Sequence, residues 1–427
     1  MRYSALQCPV RTSRTGEKLR VPVPDYDVSK GGSVMKAVKI RDDIYWVGGI
    51  DWHLRNFHGY LTPRGSTYNA YLILDEKITL IDTVKHYLVD EMLERISSVI
   101  DPAKIDVVVS NHVEMDHSGG LPRIMDIAPN ATLVCSPQGE NGLKEHYRPA
   151  NWNFNVVKSG DTFNIGKRNL SYVLTPMIHW PDNMVSYCPE EKILFSNDSF
   201  GQHIATAERF DDEVPLDISI EEAQKYYGNI VLSYNAQVIK ALEAVSTLDI
   251  EIIAPSHGLV WRSHIPQILE KYTQWANNRT DNKALIIYDT MWESTAKVAQ
   301  AMRNGFENSG IKVKMFSLKA SHMSDIMTDV VDAKYICVGS PTMNSNLLPT
   351  VSGFMTYLRA LSPKKRTGIA FGSYGWGGQS IDQITEGLSE CGFETLDQIK
   401  VKYIPDQATL DAITAKVEEM VGQPAAA

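Results

Sequence analysis

Three apolar runs rich in β-branched residues, separated by helix-length segments, fix the architecture of the last third of this sequence. They are KALIIYD (283–289), YICVGS (335–340) and TGIAFGS (367–373), with a helix predicted from Ser294 and another near the C-terminus. A strand followed by a helical crossover returns parallel to its predecessor. The block is therefore predicted to be α/β, a doubly wound parallel sheet.

The preceding residues need a core of their own. At 427 residues the chain exceeds the roughly 250–300 residues that one hydrophobic core spans, so a second domain is expected. From residue 36 onward short strands alternate with helices. MKAVKIRDDIYWVGGID reads as a hairpin, and TYNAYLILDEKITLIDT (67–83) as two strands around Asp75, Glu76 and Lys77. IDVVVS (105–110), ATLVCS (131–136), KILFSND (192–198) and IEIIAPS (250–256) read as single strands. Ser219-x-x-Glu222 has the spacing of a capping box and predicts a helix start there. The expected division is an N-terminal extension at 1–35 that is poorly ordered, a first domain at 36–276, a linker at 277–282 and a second domain at 283–422, with a frayed tail.

Composition narrows the partners. The chain is 43% hydrophobic and 22% charged, as globular proteins are. A net charge of −9 with no long Lys/Arg run argues against nucleic acid and anionic membranes as partners. No apolar stretch approaches the roughly 20 residues of a spanning helix. Cys8, Cys135, Cys188, Cys337 and Cys391 form no C-x-x-C pair. That spacing argues against a disulfide framework, a four-cysteine iron site and a thiolate zinc knuckle, and makes the reducing cytoplasm the expected location.

Two groups of residues carry chemistry. NHVEMDHSGG (111–120) places His112, Glu114, Asp116 and His117 at the end of a strand that reads as buried. Four titratable groups there are costly unless a cation or a hydrogen-bonded turn satisfies them. His179 in PMIHWPDN, Asp198 closing KILFSND and His257 in SHG also follow strands. Loops at the carboxyl ends of strands converge, so these seven side chains are expected to form a metal site. The second group begins with Thr290, Met291, Trp292, Glu293, Ser294 and Thr295, which open a helix after KALIIYD. Their hydroxyls, with the free N–H groups of a helix N-terminus, could hold a phosphate, although the stretch is neither a P-loop nor G-x-G-x-x-G. Pro341, Thr342, Met343 and Asn344 follow the next strand, and Ser373, Tyr374, Gly375, Trp376 and Gly377 the one after. Trp292, Tyr374 and Trp376 could cover a flat ring.

H-x-E-x-D-H followed by a distant His, an Asp and a final His resembles the metallo-β-lactamase fold, an αββα sandwich. The zinc hydrolases of that fold usually carry His where this chain has Glu114. A carboxylate in that slot adds a hard anionic oxygen, which suits iron passing through Fe(III). The three later loops resemble flavodoxin over residues 283–420, which implies FMN. Both domains in this order, over 36–420, resemble the flavodiiron proteins (A-type flavoproteins).

The resemblance implies that His112, Glu114 and His179 bind one iron, that Asp116, His117 and His257 bind the other, and that Asp198 bridges them. In some relatives the histidine at the place of His117 turns away and water replaces it. No catalytic residue is implied beyond the ligands, with His58, Tyr60 and His203 as candidate neighbours of them. The implied activity is reduction of O2 to water, of NO to N2O, or both. Electrons would arrive through FMN from an external donor such as rubredoxin. A diferrous pair and a reduced flavin together hold the four electrons that O2 requires. The resemblance also implies a head-to-tail homodimer, or a dimer of dimers, that sets one subunit's FMN beside the other's irons. The competing expectation is a zinc-dependent hydrolase of the metallo-β-lactamase fold fused to a flavodoxin-like module.

Overall fold

A computed structural model describes residues 35–422. The expected N-terminal extension and frayed tail lie outside the described residues, apart from Met35 and Gly422.

Two sheets build the N-terminal domain. The first runs in the order Val38–Arg41, Ile44–Trp46, Tyr71–Ile73, Thr79–Ile81, Val107–Ser110, Thr132–Cys135 and Asn153–Val156. Its first four strands pair antiparallel and the remaining pairs are parallel. The second runs Thr162–Asn164, Asn169–Leu174, Met184–Cys188, Ile193–Asn197 and Ile252–Pro255, with only the last pair parallel.

The VVVS run is apolar throughout because both of its faces are covered. Val107 and Val109 point between the sheets, among Tyr71, Ile81, Tyr172, Met184 and Phe195. Val108 points outward with Leu72, Leu80 and Leu133 onto a helical layer containing Met92, Ile96, Ile124 and Leu143. The far face of the second sheet, through Val185, Leu194 and Ile253, packs on Tyr226, Val238, Ile268 and Tyr272 from three more helices. The result is the expected αββα sandwich.

In the C-terminal domain all strands are parallel, in the order Lys312–Ser317, Asp281–Tyr288, Ala333–Gly339, Thr367–Tyr374 and Ile399–Lys402, with Glu394–Thr395 alongside. This is the doubly wound order 2-1-3-4-5, whose ligand crevice lies at the carboxyl ends of the strands where the order reverses. The three predicted ring and phosphate loops occupy that end.

The domains meet where helix Leu216–Tyr226 and the π-helical turn Tyr227–Val231 pack on helix Met323–Val330. Lys225 Nζ lies 2.5 Å from Asp325 Oδ1, Asn229 Nδ2 donates to Ser324 O at 3.1 Å, and Tyr357 Oη donates to Asn229 Oδ1 at 2.8 Å. A Cβ on Gly228 would sit 2.9 Å from Met327 O, so only glycine lets the two backbones come this close.

Three expectations are corrected. The helix read from Ser219 starts at Leu216, after Pro215, so Ser219 and Glu222 lie inside it and form no capping box. Glu222 instead accepts from Arg64 Nε at 2.9 Å, while Pro215 marks the start and Asp217 supplies the acidic first turn. The run at 67–83 does form the two expected strands, Tyr71–Ile73 and Thr79–Ile81, paired antiparallel around Asp75, Glu76 and Lys77, but they do not take up the whole run. Its first residues fall in Ser66–Tyr68, which pairs with Gly49–Asp51 outside the main sheet, because Asn69 N–H leaves the ladder for Ser256 O at 2.7 Å. Strand KALIIYD begins two residues early, at Asp281, whose N–H bonds Asp332 O at 2.7 Å.

Candidate metal centre

All seven predicted ligands converge at one end of the sandwich. His112 and Glu114 leave strand Val107–Ser110, and the single helical turn Met115–Ser118 carries Asp116 and His117. His179 hangs in the loop between Asn169–Leu174 and Met184–Cys188, Asp198 follows Ile193–Asn197, and His257 follows Ile252–Pro255. Both sheets thus contribute, each through the carboxyl ends of its strands. His112, Asp116, His117, Asp198 and His257 are buried; Glu114 and His179 are partly exposed.

The side chains fall into two groups that share Asp198. In one, His112 Nε2 and His179 Nε2 lie 3.5 and 3.2 Å from Glu114 Oε2, and 3.7 and 3.5 Å from Asp198 Oδ2. In the other, His117 Nε2 and His257 Nε2 lie 3.0 and 3.4 Å from Asp198 Oδ1, and 3.4 and 3.3 Å from the Asp116 oxygens. Most of these separations are long for hydrogen bonds. They match the edge of a coordination polyhedron, about 3.4 Å for a tetrahedron with bonds of about 2.1 Å.

Hydrogen bonding points the same way. His112 Nε2, His117 Nε2, His257 Nε2 and all four carboxylate oxygens of Asp116 and Asp198 are buried without a hydrogen-bond partner. Buried anions left this way are strongly unfavourable unless cations compensate them, so the residues present fit a pair of metal ions.

Burial disfavours a charged imidazolium at His179 and His257, yet the carboxylates around them outweigh it and hold both near 9. His112 is raised in the same way, against burial, by Asp182 and Glu114. Burial likewise opposes ionisation of Glu114, Asp116 and Asp198, but the histidines keep all three carboxyls below the usual range. In the metal-free protein, protons on the histidines stand where cations would.

Supporting groups fix the rings. His112 Nδ1 faces Asp182 Oδ2 at 2.8 Å and His257 Nδ1 faces Thr67 O at 2.8 Å, which leaves each Nε2 directed inward. Asp182 also accepts the Val113 N–H at 2.8 Å. Beneath the motif, Asp82 accepts from Asn111 N and Nδ2 at 2.7 and 3.0 Å. Asp182 and Asp82 were not among the predicted site residues. Asp182 lies in the quoted loop PMIHWPDN, three residues after His179, and that proximity was its available signal.

Of the three candidate neighbours, His58 Nε2 lies 2.9 Å from Glu114 Oε1. The His203 ring packs 4.6 Å from His257, with Nδ1 2.7 Å from Ser66 Oγ. Tyr60 packs on Phe57 and His203, with ring centroids 6.0 and 5.4 Å away.

The second group also assembles. Helix Ser294–Asn308 begins after Glu293, which holds a left-handed backbone at φ 65°. Thr290 Oγ1 at this end is buried without a partner. Thr295 Oγ1 lies 2.9 Å from Ser373 Oγ, and Thr342 N donates to Ser373 O at 3.0 Å, so the three loops are tied together. Pro341 precedes the tight turn of Met343 and Asn344, the latter at φ 51°. Gly375 leaves room beside Tyr403, and Gly377 packs on Gln379. Met291 is exposed, Trp292 and Trp376 are 89% and 95% exposed, and Tyr374 is half-buried. A spare hydroxyl and free helix N–H groups beside uncovered aromatic faces fit a phosphate joined to a flat ring.

Comparison with known proteins agrees with this geometry. The family described as ODP family beta lactamase matches residues 67–258, and Flavodoxin matches residues 286–416. The nitric oxide reductase of Moorella thermoacetica is 44% identical over 363 residues, covering 84% of this chain and 91% of that protein. The solved rubredoxin oxygen:oxidoreductase from the anaerobe Desulfovibrio gigas superposes with a TM-score of 0.88 at 41% identity, covering 91% of this chain and 99% of that one. The crystal structure of the flavodiiron protein from Giardia intestinalis gives a TM-score of 0.88 at 33% identity, covering 90% and 96%. With both domains matched in order along almost the whole of these relatives, the chain belongs to the flavodiiron protein family.

Proposed function

We propose that this chain is an oxidoreductase that reduces O2 to water, NO to N2O, or both, at an iron pair supplied with electrons through FMN. The observation that carries this reading is Asp198, one oxygen of which faces His112 and His179 while the other faces His117 and His257. Two cations sharing one ligand require that arrangement. We assign His112, Glu114 and His179 to one iron, and Asp116, His117 and His257 to the other. His117 is included because its Nε2 turns inward, 3.0 Å from Asp198. Four imidazoles and three carboxylates, with no thiolate, make a hard donor set suited to iron. The zinc-hydrolase alternative gains no support from the relatives, whose names describe reductases.

When bound, an iron pair supplies Lewis acidity and two electrons, and FMN exchanges electrons singly with a donor. The chain's own part is positioning. Asp182 and Thr67 O lock two ligand rings, and burial keeps bulk water from the Asp116 and Asp198 carboxylates. Thr290, Ser294 and Thr295 would hold the FMN phosphate. The loops Pro341–Asn344 and Ser373–Gly377 would flank its ring, with Trp292 and Trp376 over the faces.

The head-to-tail homodimer is supported by two uncovered apolar patches. Trp52, Tyr87 and Met115 are exposed on the side of the metal motif, and Trp292, Trp376, Tyr403 and Ile404 around the flavin loops. A second copy covering both would set one subunit's flavin at the other's irons. A rubredoxin-like donor is supported by the name of the Desulfovibrio gigas relative. Cytoplasmic residence is supported by four buried free cysteines among the described residues. No helix among the described residues is long and apolar enough to cross a membrane. The domain division at 36–276 and 283–422, joined by 277–282, is supported by the succession of sheets, save that residues 281 and 282 already belong to strand Asp281–Tyr288.

The test is anaerobic turnover of pre-reduced, iron-loaded protein with O2 and with NO in parallel. Rapid consumption of at least one gas is expected. Protein that holds zinc alone and consumes neither gas would overturn the proposal.

A further inference from the structure

Between the second sheet and helix Asn235–Val245 lies a small cavity. Its interior volume, swept by the centre of a water-sized sphere, is 20 Å³. Its walls include Val185, Leu194, Val238 and Val245. Its floor is formed by Ile178, the residue before the ligand His179, and by Ser196 and Ser199, on either side of the ligand Asp198. Towards the surface it is bounded by Ala241 and Leu242, both half-buried. The cavity therefore reaches from the helical layer to the backs of two segments that carry metal ligands.

Its chemistry selects the occupant. A void of more than about 10–15 Å³ on this measure admits a water-sized particle, but a buried water needs two to four polar partners to stay. Thr175, Ser196, Ser199 and Tyr272 bring hydroxyls to the wall, but almost all of the cavity's surface is apolar. Ser196 Oγ donates to Ser199 O at 2.7 Å, and Tyr272 Oη accepts from Phe200 N–H at 2.7 Å. No charged residue lines the wall. Dry apolar holes of this kind take up xenon and other apolar guests, and this one is too small for a larger organic solute.

We propose that this cavity takes up the diatomic substrate, O2 or NO, and passes it to the metal centre past the loop that carries His179. The inference rests on the proposed gas-reducing function. It gives an apolar gas a route separate from the polar mouth at which His58 meets Glu114. Ala241 is the gatepost, because a larger side chain there fills the outer part of the cavity without touching a ligand.

The test uses the iron- and flavin-loaded protein. Crystals pressurised with xenon should show a xenon atom between Phe200 and Ala241. In Ala241→Phe, and in the milder Ala241→Leu should the first fail to fold, the xenon should be lost and KM for the gas should rise severalfold. Iron and flavin content and kcat at saturating gas should stay unchanged. Absence of xenon from the wild-type cavity, or a KM unmoved in a variant that has lost xenon, overturns the inference while gas reduction stands. Wild-type protein that turns over neither gas overturns both readings.

Discussion

Truncating Asp182 to alanine tests how the metal centre is held. One carboxylate oxygen of Asp182 takes the His112 Nδ1–H and the Val113 N–H, both at 2.8 Å in a buried setting. Asp182→Ala leaves two buried donors without an acceptor. At about 1–3 kcal/mol for each orphaned group, the metal-free protein should lose roughly 2–6 kcal/mol of stability. The His112 ring also becomes free to turn, and losing such an orienting partner typically costs about 10–100-fold in metal affinity. That loss should fall on the site of His112, Glu114 and His179, and spare the site of Asp116, His117 and His257, whose His257 is oriented by Thr67 O. Asp182→Asn should be intermediate, since its amide oxygen can still accept one bond. Competitive chelator titration that resolves two binding steps reads the affinities, and urea denaturation of metal-free protein reads the stability. If Asp182→Ala binds both ions within about twofold of wild type, the positioning argument is wrong.

Metal uptake should release protons. His179 and His257 titrate near 9 without metal, so at neutral pH both are protonated and each ion must displace a proton. Affinity should therefore rise with pH up to about 9 and fall as the solution is acidified; uptake with no proton release, read with a pH indicator, would contradict this. In the flavin loop, Thr290→Val with Ser294→Ala should weaken FMN binding about tenfold, at roughly 1 kcal/mol or less per hydroxyl. The stability of the flavin-free protein should hold, because Thr290 Oγ1 has no partner to lose. Flavin fluorescence titration decides, and unaltered affinity in the folded double variant would remove these hydroxyls from the phosphate site. Gly228→Ala places a Cβ 2.9 Å from Met327 O and should cost about 1–3 kcal/mol by forcing the domains apart. A melting temperature equal to that of wild type would show that the close approach is dispensable.

The candidate metal ligands were legible in the sequence because each follows an apolar run, and strand ends in a sandwich meet. The supporting groups were far less so. Thr67 orients His257 through its backbone carbonyl, which any residue offers, and Asp182 meets His112 only once the two sheets close. Ser219 and Glu222 have capping-box spacing, but the helix begins about a turn earlier, at Leu216, and Glu222 serves Arg64 instead. Strands Lys312–Ser317 and Ile399–Lys402 escaped notice because lysines alternate along them, as suits the margins of a sheet. The glycine that lets the domains touch sits in a helical run that reads as continuous, and only the packed structure shows that Met327 O lies against it.

Mössbauer spectroscopy on iron-loaded protein, with iron counted per chain, tests the central claim most directly. Two non-haem irons per chain that are magnetically coupled are predicted, because both would share the Asp198 carboxylate. A single iron, or two irons that behave as isolated ions, would contradict the account.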